Sequence, residues 1–188
     1  MRKPGLLEIK FHNPKKRNAM NVAGESLIIK LVKEAQEDDN VKTIMIHGGK
    51  YFSSGNDLSV FSLKEGQTMT EMLDFAVHAA KGIMVDFLMT LATSVKPIVM
   101  VVRGGCFGIT FTMLSHATFI YCAPDAHFKT PFIATGQSPE GTSTLLFPQQ
   151  LGQRRAAEVL LMDKVVTAKE MKECGFINGI VDSFDPNQ

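Results

Sequence analysis

The sequence predicts an α/β fold built on a mainly parallel sheet, and three observations carry that prediction. Residues 6–11, Leu-Leu-Glu-Ile-Lys-Phe, alternate as a strand does; Leu27, Ile28, Leu31, Val32 and Ala35 recur at helical spacing; residues 41–47 are a β-branched run, so the chain opens with a strand-helix-strand unit. A second helical pattern runs through Met72, Leu73, Ala76, Ala80, Ile83, Met84, Phe87, Leu88 and Leu91, stops at the Ser94-Val-Lys-Pro97 breaker, and is followed by the apolar strand 98–102. A length of 188 residues with 45% hydrophobic content suffices for one sizeable core, which favours a single domain spanning 1–188.

The other elements follow in order. Residues 12–17, polar and proline-containing, form the exit loop of the first strand, and Asp38-Asp39-Asn40 closes the first helix. Leu58, Val60 and Phe61 are placed to begin a short helix, and the polar stretch 62–70 with Gly66 reads as a mobile loop. Residues 108–115 suit a short apolar helix, 118–122 and 126–130 strands, 153–162 and 168–174 helices, and 180–182 a last short strand.

Composition removes several classes of function. With 20 basic and 19 acidic residues and a net charge of +1, the chain lacks the basic footprint of a nucleic-acid binder, although Lys15-Lys16-Arg17 could contact an anion. Three scattered cysteines, Cys106, Cys122 and Cys174, fit neither a disulfide framework nor a zinc site and suit a reducing compartment. Apolar runs are broken well short of membrane-spanning length, the start runs from Met1 straight into a strand without a signal region, and the end, Asp185-Pro-Asn-Gln188, is not a Ser-Lys-Leu address, so a soluble chain without a leader is expected. The histidines show no metal-binding spacing and the serines no Gly-x-Ser-x-Gly elbow, so neither a metal site nor a serine hydrolase is expected. Eleven methionines read as core packing.

Three loops carry potential chemistry. In Ser53-Ser-Gly-Asn-Asp57, which follows a strand, Gly55 permits close approach and leaves the Asn56 amide able to face a pocket; the alternative is a helix-capping turn through Asp57. In Gly104-Gly-Cys-Phe-Gly-Ile-Thr110, a strand opens into a helix whose first amides lack intrahelical partners; the alternative is an ordinary tight turn, and no dinucleotide or P-loop pattern is present. Glu140 is the lone acid in a long apolar and glycine-rich stretch, with Phe128, Phe132, Ile133 and Phe147 able to wall it off and raise its pKa toward neutrality; the alternative is a solvated loop glutamate.

Together, Asn13-Pro-Lys-Lys-Arg-Asn-Ala-Met-Asn21, residues 51–58, and Thr130-Pro-Phe followed by Gly136-Gln-Ser-Pro-Glu-Gly141 resemble the crotonase (enoyl-CoA hydratase/isomerase) superfamily along nearly the whole chain, most closely its peroxisomal-type Δ3,Δ2-enoyl-CoA isomerases. The resemblance implies a crotonase-like (ββα) superhelical spiral core with the C-terminal helical portion missing, since family members continue past the point matching Asp185. It implies Glu140 as the catalytic base, the Asn56 and Ile109 amides as an oxyanion hole, and acyl-CoA contacts from Arg17, Asn18, Ala19, Ser53, Ser54, Gly55, Asp57, Leu58, Gly108 and Phe132. Thr112 and Phe132 stand where hydratases carry two glutamates, which points to double-bond isomerisation rather than hydration. It further implies an acyl-CoA thioester substrate with no cofactor, a homo-oligomer (trimer or hexamer) or a subunit of a larger complex, and a peroxisomal or mitochondrial matrix setting. The competing reading is a non-catalytic crotonase-like acyl-CoA binder or structural subunit.

Overall fold

The computed structural model describes residues 2–57 and 65–182. The short helix expected at Leu58, Val60 and Phe61, the first three residues of the loop expected to be mobile, and Asp185 lie outside the described residues. β1 (Arg2–Lys3) turns back antiparallel onto β2 (Gly5–Lys10), after which the chain alternates: α1 (Val22–Glu37), β3 (Val41–His47), α2 (Met69–Ala79), α3 (Val85–Ala92) and β4 (Ile98–Val102). β2, β3 and β4 lie side by side and parallel, with Leu7 opposite Ile44 and Ile44 opposite Ile98. Each parallel step needs a crossover, and the helical segments supply it.

β6 (Phe119–Cys122) and β9 (Gly179–Ile180) extend the sheet, giving the order β1-β2-β3-β4-β6-β9, parallel throughout except at β1. A second sheet of three short strands, β5 (Gly105–Phe107), β7 (His127–Lys129) and β8 (Val166–Thr167), carries the loops that matter below. Between these come α4 (Ile109–Thr112), α5 (Ser143–Leu151), α6 (Gln153–Leu161) and α7 (Ala168–Glu173). α7 is closed at its start by a capping box, in which Thr167 and Glu170 each satisfy the other's free amide.

One core cluster holds the layers together. Ile44, Ile46, Ile98 and Met100 of the sheet are buried with Val32 and Ala35 of α1 and Phe87 and Leu91 of α3. Under the second sheet, Phe111 stacks at centroid distances of 5.1 Å on Phe128 and 4.9 Å on Phe147, and Phe176 closes the group edge-on. Burying a phenylalanine side chain this fully is worth about 2–3 kcal/mol each. A 2.8 Å contact between Glu8 and His47, both enclosed, adds a polar tie between β2 and β3.

Four elements differ from expectation for identifiable reasons. The long helical pattern is broken by a π turn at Ala80–Met84, which contains Gly82. The extra residue rotates the apolar stripe, so Leu73 stands half exposed while Met72, Phe87 and Leu91 are buried. α5 contains Pro148, which removes an amide donor and masks the helix in the sequence. β5 and β8, three and two residues long, are shorter than any periodicity can reveal.

Candidate active site

The loop after β3 is stitched between the chain before α1 and strand β5. The Met20 amide donates to the Gly55 carbonyl (2.8 Å), and the Asp57 amide donates to the Met20 carbonyl (2.6 Å). Met20 thus forms a parallel bridge to Asn56 by bonding the residues on either side of it. In that pattern the bridged residue's own N–H points away from its partner. The Asn56 amide accordingly has no acceptor among the described residues.

On the loop's other edge, the Ser53 amide donates to the Gly105 carbonyl (3.0 Å) and the Phe107 amide to the Ser53 carbonyl (3.1 Å). The chain then turns at Gly108, whose φ of 55° and ψ of −129° suit glycine, and α4 begins at Ile109. The Phe111 and Thr112 amides both return to the Gly108 carbonyl, at 2.9 and 3.0 Å, while the Ile109 amide has no acceptor among the described residues. The two loops meet glycine to glycine: a Cβ on Gly55 would lie 2.8 Å from the Phe107 carbonyl oxygen and 3.8 Å from the Gly108 Cα. Any side chain there would wedge apart the turns carrying the Asn56 and Ile109 amides.

Glu140 arrives from the opposite direction. Gly141 and Thr142 both take positive φ, 68° and 59°, before α5 starts, and the Glu140 carbonyl accepts from the Ser143 amide (3.2 Å) and hydroxyl (2.6 Å). Gly141 is pressed onto α4, where an added Cβ would come within 2.7 Å of the Thr112 Cβ and 3.5 Å of the Ile109 Cδ1. The acid is therefore anchored against the same short turn that presents the Ile109 amide. Its carboxyl is partly buried and has no hydrogen bond or ion pair among the described residues. Burial pushes its pKa up to about 7, and the negative charge of Glu25 pushes in the same direction.

The remaining predicted residues sort differently. Arg17, in the left-handed region, is exposed, lies 5.9 Å from the centroid of the Tyr51 ring, and lends its carbonyl to the Ser54 amide (2.9 Å). Ala19 is half-buried on the same turn, and Ser54 donates its hydroxyl to the Lys16 carbonyl (3.1 Å). Asp57 pairs with Lys16 at 2.6 Å. For three residues the side chain serves the protein's own structure. The Asn18 side chain is buried and committed to the protein, accepting from the Asn13 amide (2.8 Å) and donating to the carbonyls of Gly48, Tyr51 and Phe52 at 3.0, 2.6 and 3.3 Å. The Ser53 hydroxyl is likewise committed, donating to the Asn18 carbonyl (2.7 Å) and accepting from the Gly55 amide (3.2 Å). Phe132 is core, 1% exposed. These three shape the loops from behind. Leu58 lies outside the described residues, and Ile133, expected to wall off Glu140, is exposed.

Thr112 and Phe132 bring no acid to the site. Thr112 is buried and donates its hydroxyl to the Ile109 carbonyl at 3.1 Å. Glu25, on the other hand, is a residue the sequence reading did not single out. A signal for it exists: Glu25 falls in phase with Ile28, Ile29 and Val32, the spacing of a buried helical stripe. Among the described residues no group of three or more His, Cys, Asp or Glu could hold a metal ion, and no helix is long and apolar enough to cross a membrane.

A parallel sheet with crossover helices, and glycine-paired loops at one end of it, define the class. Over residues 1–186 the chain matches the family described as enoyl-CoA hydratase/isomerase; it belongs to that family and has the crotonase-like α/β fold. Its relatives include enoyl-CoA delta isomerase 2 of Rattus norvegicus, 36% identical over 94% of this chain and 44% of the relative. Another is the peroxisomal enoyl-CoA delta isomerase 3 of Mus musculus, 34% identical over 94% of this chain and 54% of the relative. The chain spans about half the length of these curated relatives. Among solved structures, OdaA of Pseudomonas aeruginosa superposes with a TM-score of 0.86 at 28% identity, over 99% of this chain and 71% of that one.

Proposed function

We propose that the chain is a Δ3,Δ2-enoyl-CoA isomerase of unsaturated fatty-acid β-oxidation, which moves a 3-enoyl-CoA double bond to the 2-trans position. Glu140 takes a proton from C2; the C–H electrons flow into the thioester, forming a dienolate whose oxygen accepts from the Asn56 and Ile109 amides. The same carboxyl then returns the proton at C4, leaving the double bond between C2 and C3. One proton leaves and one comes back, so no water or cofactor is consumed. The observation that carries this reading is the Glu140 carboxyl, with no partner among the described residues and a pKa raised to about 7, anchored on the turn whose Ile109 amide has no acceptor among the described residues. A base poised near neutrality can both accept and release a proton, and amides already aimed at a developing charge need no reorganisation.

Hydration is disfavoured because Thr112 and Phe132 cannot hold or activate water as a second carboxylate would. Lys15, Lys16 and Arg17, on an exposed turn, supply positive charge for the CoA phosphates. The relatives named as enoyl-CoA delta isomerases support the activity, and the one named peroxisomal supports a peroxisomal or mitochondrial matrix setting. A homo-oligomer is favoured by the apolar side chains of Phe75, Val85 and Met89, which are exposed on α2 and α3. The test is turnover of a 3-enoyl-CoA by the purified chain beside Glu140→Gln. Turnover that falls by at least about 10³-fold on substitution, with acyl-CoA binding retained, supports the proposal. Binding without turnover in the parent chain overturns it in favour of a non-catalytic acyl-CoA binder.

A further inference from the structure

Residues 140–143 close as a tight turn, in which the Ser143 amide donates to the Glu140 carbonyl (3.2 Å) and both central residues take positive φ, Gly141 at 68° and Thr142 at 59°. Positive φ at both central positions is the type I′ arrangement, which favours glycine, asparagine or aspartate. Gly141 meets that demand; Thr142 does not. Among the described residues four non-glycine positions have positive φ, and Thr142 is the β-branched one, for which the left-handed region is an outlier. Such a conformation persists only when its surroundings hold it.

The holding contact comes from His116, whose Nε2 lies 3.1 Å from the Thr142 hydroxyl oxygen. Burial lowers the pKa of this imidazole, so at neutral pH the ring carries a single hydrogen. The Thr142 hydroxyl donates its own hydrogen to the Gly141 carbonyl and is left to accept from the ring, which places that single hydrogen on Nε2. The chain of bonds from His116 through Thr142 to Gly141 runs along the strained half of the turn.

His116 itself stands on a fixed support. It ends a 3-10 turn, Met113–His116, that continues α4 without a break, so residues 109–116 form one helical segment beginning at the Ile109 amide. Ile109, Phe111, Met113 and Leu114 of that segment are fully buried. Thr112, in its middle, lies against Gly141, and Gln150, near the far end of α5, donates to the Ser115 carbonyl (3.2 Å). Segment and α5 are thereby pinned to one another, and the turn at 140–143 is the joint that delivers Glu140.

We infer that His116 is a positioning residue for Glu140, a clamp that keeps the turn in its type I′ form by holding Thr142 and so fixes the heading of the Glu140 carboxyl. Without the ring, Thr142 relaxes to negative φ. That converts the turn to type II′, turns over the peptide between Gly141 and Thr142, and loosens Gly141 from Thr112. The purpose of the clamp rests on the isomerase reading of Glu140; its geometry does not.

The test uses the full chain and two readouts: steady-state turnover of a 3-enoyl-CoA, and the nuclear Overhauser effect between the amide hydrogen and Hα of Thr142, which is strong at positive φ and weak at negative φ. His116→Ala should weaken that effect and lower kcat by ~10-fold or more with KM changed by less than ~2-fold, because the base is displaced while the acyl-CoA loops are untouched. His116→Gln, whose amide can still donate, should restore most of both. Thr142→Val removes the acceptor at an exposed position and should repeat the loss, which keeps the test decisive even if His116→Ala folds poorly. In a Thr142→Gly background, where the left-handed region costs nothing, adding His116→Ala should change kcat by less than ~2-fold. A merely structural histidine would lower kcat equally in both backgrounds. In a chain that turns over, an unchanged kcat in these variants, or a fall in kcat with the Thr142 conformation unaltered, overturns the inference. In a chain without turnover, an unaltered Thr142 conformation overturns the clamp, whereas an altered one keeps the clamp and removes the isomerase reading.

Discussion

Replacing Glu140 by glutamine should do two opposite things, and the second is the sharper test. Activity should be lost, because an amide cannot accept the C2 proton. Stability above neutral pH should rise. An ordinary carboxyl titrates near 4.5, whereas the folded chain holds Glu140 near about 7. The folded state therefore prefers the protonated form, and the stability this group contributes at low pH is lost as pH rises from 4.5 through about 7. At about 1.4 kcal/mol per unit, the ionised side chain costs the fold on the order of 3 kcal/mol above pH 8, or ~2 kcal/mol once solvent access to a partly buried group is allowed for. At pH 5 the cost is under ~1 kcal/mol, because the folded carboxyl is still protonated and the pH lies only about half a unit above the unfolded value of 4.5. Urea unfolding of parent and Glu140→Gln at pH 5, 6, 7 and 8 reads the difference directly, provided the m-values agree. The substituted chain should be the more stable at pH 8, with an advantage that shrinks steadily toward pH 5. Equal stabilities at every pH, or a less stable variant at pH 8, would refute the claim that this carboxyl sits desolvated in a prepared site.

Gly55→Ala should lower kcat/KM by ~10²-fold with a stability loss of only ~1–3 kcal/mol, since the new methyl meets the Phe107 carbonyl and spreads the two amide-bearing turns; steady-state kinetics beside a thermal melt would show a merely structural role if both fell in proportion. Asn18→Ala removes four hydrogen bonds of one buried side chain and should cost ~2–4 kcal/mol in urea unfolding, with weakened acyl-CoA binding as a consequence of loop disorder. Lys16→Ala breaks an exposed pair with Asp57 and should change stability by less than ~1 kcal/mol. If the turn binds phosphate, the same change should weaken acyl-CoA binding and flatten its salt dependence, measured by calorimetry at low and moderate ionic strength.

The sheet was legible because its strands are buried on both faces and its helices amphipathic, so residues 41–47 and 98–102 announce themselves by composition alone. Candidate loops were legible because glycine at a strand end has few other uses, and Gly55 and Gly108 do take the conformations and close approach that require it. What the sequence concealed was which polar groups the fold itself consumes. Asn18 and Ser53 look like substrate ligands by motif, yet their side chains tie four segments of backbone together. That distinction depends on contacts more than thirty residues away in the chain, and local pattern carries no record of them.

Glu25 shows the converse. Its spacing with Ile28, Ile29 and Val32 places it on the buried stripe of α1, while its chemistry suggests a solvent-facing first turn, and the two rules disagree at this one position. Burying Leu27 and freeing the acid would require turning the helix by roughly half a turn, since residues two apart lie about 200° apart around it. The helix cannot turn in this way, because Ile28, Ile29 and Val32 are already packed against the sheet and Met20, just before it, is fixed by the bridge to Asn56. The bridge that directs the Asn56 amide thus also fixes the start of the helix that carries Glu25 on its buried side. Amide direction is set by this piece of backbone, so a substitution that loosens Met20, such as Met20→Gly, should lower kcat by releasing the Asn56 amide from its heading. An unchanged kcat in a folded Met20→Gly variant would show that the bridge does not aim the amide.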